Sequence, residues 1–373
     1  MEQAMGVFGS QVAEKRLPEA RILQIGNFPP PLCGWAIHTL AIQRALIQQG
    51  AECKVLDLGP SRRIDGRECI PVYGGLDYLA KLIAFRARGY TFELHTNGDT
   101  WKRFLLVFIA ALIGRLTGRP PVLMFHAGPQ QMLFPRKHGF WFHAFQLLFR
   151  SSAQIICNMD SVKSVILSYG IPAERVHSIF SIDYQDEGLP APLAENVERF
   201  LEAHAPKLFS YTLFRPEFTM ECLFDAFARI RLKFPQAGLL IAGPQEVPTE
   251  AQEYMRRLGI ESDVVVAGNL PRVQFLTAIS RSDVFIRTHL RDGLCSSVIE
   301  ALKLGTPVVA AEDGIRPPSV FKYAPGDTND LARVALEVLN DLRGARAQVR
   351  APEVNYDFSE EVSLLVSVAT LSR

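Results

Sequence analysis

The chain has 373 residues, 48% hydrophobic, 21% charged and 10% aromatic, and its 40 basic and 39 acidic side chains leave a formal net charge of +1. That length supports two or three domains with sizeable cores, and 26 glycines and 24 prolines without a repeat exclude disordered and collagen-like classes. With a near-zero net charge the molecule as a whole is not a polyanion binder, and with no recognition module either, no nucleic-acid partner is expected.

The charge is unevenly spread. Residues 81–150 hold ten basic side chains against two acidic ones, Glu93 and Asp99. Six cysteines (Cys33, Cys53, Cys69, Cys157, Cys222, Cys295) form no C-x-x-C pair, which fits reduced thiols in a cytoplasmic protein and gives no metal-ligand cluster. Residues 1–18 lack an apolar signal core. The longest apolar run, 104–113, has ten residues, about half of the ~20 that a membrane-spanning helix needs.

In chain order, residues 21–25 read as a buried strand, 26–34 as a breaker-rich loop, 36–49 as a helix ended by Gly50, and 53–58 as the next strand. Strands follow at 91–95, 122–126 and 154–157, with helices before or between them. Residues 183–206, rich in proline and acids, read as a linker. A second alternation then begins: strand 207–212, helix 221–234, strand 239–242, strand 264–267, helix 273–280, strand 283–286, helix 298–304 and strand 307–310. Apolar strands alternating with amphipathic helices predict parallel sheets covered on both faces. The fold class expected is α/β, with two Rossmann-like doubly wound domains facing a cleft, where ligands bind at strand carboxyl ends. No G-x-G-x-x-G follows the first strand and no G-x-x-x-x-G-K-[ST] exists, which argues against nicotinamide dehydrogenases and P-loop NTPases.

The segment 291–310 carries the most chemistry. It sets Asp292 and Glu300 eight residues apart and ends in helix, Gly305, Thr306-Pro307 and strand. In one reading Ser297-Val-Ile-Glu300 is a capping box, with Gly305 a helix terminator. In the other, a helix start at Ser296-Ser297 offers free N–H groups and a positive dipole end to a diphosphate, with a carboxylate one turn on for ribose hydroxyls.

This segment resembles the family 4 retaining glycosyltransferases of GT-B architecture. Their hallmark is E-x7-E followed by a Gly-x-Pro-Val-Val-Ala close, and here it reads Asp292-x7-Glu300-Ala-Leu-Lys-Leu-Gly-Thr-Pro-Val-Val-Ala. Similar elements recur along most of the chain: the Gly26…Gly34…His38 loop, Phe125-His126-Ala-Gly128, Ala267-Gly268-Asn269, and Tyr323-Ala-Pro-Gly-Asp327. The resemblance implies an acceptor-side domain over 1–182, a donor domain over 207–345 and a helix in 346–373 crossing back to the first domain. It implies catalytic or sugar-contacting roles for His126, Asp292 and Glu300. Donor contacts would come from Gly34, Gly293 and Leu294, from Gly268, Asn269 and Leu270 at the base, and from the Ser296 and Ser297 amides at the diphosphate. His126 alternatively reads as a core histidine at a strand end, and His38 as structural or substrate-lining.

Two departures stand out. The first motif acid is Asp292, one methylene short of glutamate. Where the family carries an arginine and a lysine against the diphosphate, this chain has Leu213 and Phe218, so Arg215 is expected to supply the charge, with Lys303 or Arg316 as other bases. No D-x-D occurs, so no metal and no cofactor are expected beyond the donor itself.

The implied function is metal-independent, retaining transfer of a sugar from a nucleotide-sugar donor to a glycan or lipid-linked hydroxyl. The alternatives are a degenerate GT-B module that binds without transfer and a nucleotide-sugar epimerase. Cations and rings around 101–119 and 134–143 suggest peripheral contact with anionic membrane; alternatively, 104–113 is a buried helix.

Overall fold

A computed structural model describes residues 20–371 apart from 30–33, 60–61, 64–67, 99, 129–130, 183–187, 244–245, 291, 293–294 and 355–356. The apolar runs form two six-stranded parallel sheets. The first contains β1 (Arg21–Gly26), β2 (Glu52–Asp57), β3 (Thr91–Thr96), β4 (Val122–Phe125), β5 (Gln154–Cys157) and β6 (Val176–Ser178), in the order β2-β1-β3-β4-β5-β6. Its connections include α1 (Gly34–Gln48), α2 (Gly75–Ala87), α3 (Trp101–Leu116), α4 (Phe140–Ser151) and α5 (Asp160–Ser168). The order reverses at β1, so a crevice opens at the carboxyl ends of β1 and β3.

Burial decides which helix covers which face. Tyr78, Leu82, Phe104, Val107, Phe145 and Phe149 pack on one face, and within the 104–113 run Phe104, Val107, Ala110 and Ala111 form the inward stripe of α3. Ile42 and Leu46 of α1 cover the other face together with Val362 and Leu365 of the C-terminal helix.

The second sheet has the order β12-β11-β10-β7-β8-β9. Its first helix, α6 (Glu195–Ala203), lies inside the stretch read as linker and packs against β8 and β9. In chain order come β7 (Lys207–Tyr211), α7 (Met220–Lys233), β8 (Gly238–Ala242), α8 (Thr249–Arg257), β9 (Val264–Gly268), α9 (Arg272–Ser280), β10 (Val284–Arg287), α10 (Ser296–Lys303), β11 (Val308–Ala311), β12 (Phe321–Tyr323), α11 (Thr328–Asn340) and α12 (Leu342–Gln348). Here the order reverses at β7, which places a second crevice at the ends of β7 and β10. The last helix, α13 (Ser359–Leu371), returns to pack on α1, β1 and β3. The five described cysteines are unpaired, and no helix among the described residues is long and apolar enough to cross a membrane.

Candidate functional site

The wall from the second sheet starts where β10 ends. Arg287, buried at the strand's carboxyl end, grips Asp292 with two hydrogen bonds (2.6 and 2.8 Å) and donates a third to the Tyr211 carbonyl (2.8 Å). Arg316 adds a contact to Asp292 at 3.2 Å and pairs with Asp313 at 3.2 Å. Burial alone would raise the Asp292 carboxyl, but Arg287 and Arg316 outweigh it and hold the group below the usual carboxylate range. His289 beside them is pushed down to about 4, by burial first and then by the two guanidiniums, so its ring is neutral at pH 7.

The helix start that follows is uncapped by any side chain. The N-cap residue is Cys295, which makes no side-chain capping bond. The capping box expected at Ser297 and Glu300 therefore does not form. Ser297 Oγ meets Cys295 Sγ at 3.2 Å, and Glu300 turns to Arg272, accepting two hydrogen bonds of 2.8 Å. Tertiary pairing overrides the local motif. The result is an eight-residue helix whose first amides have no capping oxygen, with the buried Glu300 carboxylate one turn inside.

Both sheets contribute to one cavity of about 440 Å³. Gly34, Trp35, His38, Asn97, His126 and Asn158 line it from the first unit; Tyr211, Asn269, Leu270, Arg272, Arg287, Asp292, Ser296, Ser297 and Glu300 line it from the second. Gly34 opens α1 directly opposite the start of α10, and a Cβ at that position would meet Ser296 Oγ at 3.3 Å. Two helix N-termini thus face each other across the gap, a geometry suited to an anion.

From His38 and His126 in the first-unit wall a chain of ionisable groups runs inward. His38 pairs with Glu361 of α13 at 2.9 Å, and His95 Nδ1 meets His126 Nε2 at 2.9 Å. Burial works against the His38 cation, but Glu361 and then Glu93 outweigh it and raise its basicity. His95 and His126 are driven well below the ordinary value, by burial first and by neighbouring cations second. Burial also pushes the Glu93 carboxyl up to about 7. The ring nitrogens of His38, His95 and His126 fall within 4.8 Å of one another, a donor set that a transition-metal ion could use.

The structure brings together Gly34, His126, Asn269, Leu270, Asp292, Ser296, Ser297 and Glu300 around the cavity. Gly268 ends β9 at its edge, its carbonyl accepting the Gly243 N–H at 2.8 Å. Gly293 and Leu294 lie outside the described residues. Arg215 is placed elsewhere: it is exposed, before the short turn Pro216–Phe218, and is absent from the cavity lining. Arg215, expected to supply the charge, thus stands apart from the other site residues around the cavity. Phe218 fills the space, and the Arg287 guanidinium lies 5.3 Å from its ring centre.

Lys303 is exposed at the far end of α10, and Arg316 stands behind Asp292. Arg272 and Arg287 were both missed from sequence. Their signal was positional: Arg287 directly follows the strand read at 283–286, and Arg272 opens the helix after Gly268-Asn269-Leu270.

Two Rossmann-like α/β units whose strand ends converge on one cavity define the GT-B architecture. Residues 196–341 match the family described as glycosyl transferases group 1. Among curated proteins, the 2-deoxystreptamine glucosyltransferase of Streptomyces kanamyceticus is 31% identical over 115 residues, 29% of each chain. The chain spans less than a third of the length of the curated relatives it matches. Among solved structures, Anabaena HepE in complex with UDP and glucose superposes with a TM-score of 0.65 at 18% identity, covering 95% of this chain and 98% of that one. A glycosyltransferase from Rickettsia africae gives 0.66 at 16% identity over 95% and 98%.

Proposed function

We propose that this chain is a glycosyltransferase that moves a sugar from a nucleotide-sugar donor to a hydroxyl of a glycan or lipid-linked acceptor, retaining the anomeric configuration. One observation carries the reading: the uncapped start of α10 faces Gly34 across the cavity with Glu300 buried one turn inside. The group 1 match over the second unit and the UDP and glucose bound by HepE support it.

In this reading the Ser296 and Ser297 amides hold the diphosphate and Glu300 accepts from ribose hydroxyls. Asn269 and Leu270 meet the base. Arg287 supplies positive charge at the leaving group while fixing Asp292, which faces the sugar. His126, with one nitrogen held by His95, presents its other ring edge to the donor sugar. No step is routed through a metal or cofactor; helix amides and Arg287 carry the developing charge. The leaving diphosphate takes the acceptor proton.

A second reading rests on a specific feature. Among the described residues, Arg272, Arg287 and Arg316 are each matched by a carboxylate, namely Glu300, Asp292 and Asp313, so none of the three brings a surplus charge to a diphosphate. That favours a module which binds donor without transfer. Incubation with a panel of nucleotide sugars and candidate acceptors separates the two. Release of nucleoside diphosphate with acceptor glycosylation, abolished in Glu300→Ala, supports transfer; donor binding with no diphosphate released from any donor overturns it. Altered sugar without an acceptor would mark an epimerase.

A further inference from the structure

The outer faces of α2, α3 and α4 depart from ordinary amphipathic design. On α2, Leu76, Leu79 and Ile83 recur at i, i+3 and i+7 and point to solvent, while Tyr78 and Leu82 fill the core. Leu76 is 86% exposed. Trp101 and Leu105 open α3, and Phe140, 74% exposed, opens α4.

The three helices lie side by side on one face of the first sheet, α2 against α3 and α3 against α4. The Tyr78 hydroxyl donates to the Leu106 carbonyl at 2.9 Å, joining α2 to α3. The Phe140 ring packs on Trp141 (5.2 Å), which packs on Phe104 of α3 (5.4 Å). In a parallel α/β unit the helix N-termini lie at the carboxyl edge of the sheet, so the patch borders the edge from which the cavity opens. A cation–π contact joins the two: Arg103, next in sequence to Trp101 and Lys102, stacks over the Trp35 ring of the cavity wall at 4.7 Å.

Among the described residues, several cations stand around these helix starts. Lys102 stands 5.9 Å from the Trp101 ring centre, and Arg136 and Lys137 are exposed just before α4. The acid on α2, Asp77, is taken by Lys81 at 2.8 Å. A second copy of this chain docking on the same face about a two-fold would bring these cations against their own counterparts. An anionic bilayer meets both features, taking up the apolar side chains and pairing with the cations.

We infer that the face formed by the N-terminal ends of α2, α3 and α4 docks on an anionic lipid bilayer. It would then bring the cavity mouth to the surface where a lipid-linked acceptor resides. The acceptor clause rests on the transferase reading; docking itself does not.

The test is co-sedimentation with vesicles of phosphatidylcholine alone and of phosphatidylcholine mixed with phosphatidylglycerol. Four proteins are compared: the native chain, L76S/W101S/F140S, K102E/K137E, and Glu300→Ala. The native chain is expected to bind only the anionic vesicles, and less at high salt. Each patch variant is expected to bind more weakly, on the order of tenfold, with unchanged circular dichroism. Glu300→Ala is expected to bind like the native chain, so docking is read without any donor or activity. Equal binding to both vesicle types, or native binding by both patch variants, overturns the inference. So does a native dimer that the apolar variant dissociates when no vesicle binding is seen.

Discussion

At the residue scale, Arg272 and Glu300 are one unit. Glu300 is 2% exposed, and both its oxygens accept from the Arg272 guanidinium. Arg272→Ala strands that carboxylate. It is expected to destabilise the fold by about 1–3 kcal/mol in chemical denaturation, because a buried acceptor loses its donors. Arg287 plays the same part for Asp292, and Arg287→Ala is expected to weaken nucleotide binding more than Arg215→Ala, which leaves the cavity untouched. Calorimetric titration of the two variants checks that ordering; equal losses would return the charge to Arg215. What the sequence concealed here was pairing. Asp292, Glu300 and Ser297 were recognisable as chemistry-bearing types, but a residue's partner is decided by the packing of β10, α9 and α10, which no local motif contains.

At the element scale, α13 is tied to the first unit by its apolar face and by the His38–Glu361 pair. Because the folded His38 is raised above its ordinary value of 6.5, its contribution to stability is complete below about pH 6.5 and is lost as pH rises through the folded value. His95 and His126 act with the opposite sign. Depressed by burial, they stay neutral in the fold while the unfolded chain takes up protons below about pH 6.5, so stability falls as pH falls. The difference in melting temperature between the native chain and His38→Gln isolates the first effect. It is expected to shrink from pH 6 to pH 8; a difference that grows would contradict the assignment.

The strands were legible because buried parallel strands read as continuous apolar runs. Short edge elements were not: β6 and β12 have three residues each, too few for a period to show. Residues 195–203 read as linker because prolines and acids precede them, yet Val197 and Leu201 anchor a helix on the second sheet. The helix within 298–304 extends back to Ser296, as the Ser296-Ser297 helix start read from the motif requires.

At the scale of the whole molecule, the two sheets matter through the gap they enclose. Gly34 and Ser296 are 262 positions apart in sequence and adjacent across that gap. Gly34→Val places a branched side chain against Ser296 Oγ and is expected to narrow the cavity without disturbing either sheet. Reduced nucleotide affinity at an unchanged melting temperature would show this; a collapse of the melting temperature would mean that Gly34 serves the fold instead.

The most direct measurement is calorimetric titration of UDP, GDP and ADP into the native chain, Glu300→Ala and Gly34→Val. The account predicts that at least one nucleotide binds the native chain and that both variants weaken it, by roughly tenfold or more as expected for a lost charged hydrogen bond. Failure of all three nucleotides to bind the native chain, or undiminished binding by both variants, would contradict it.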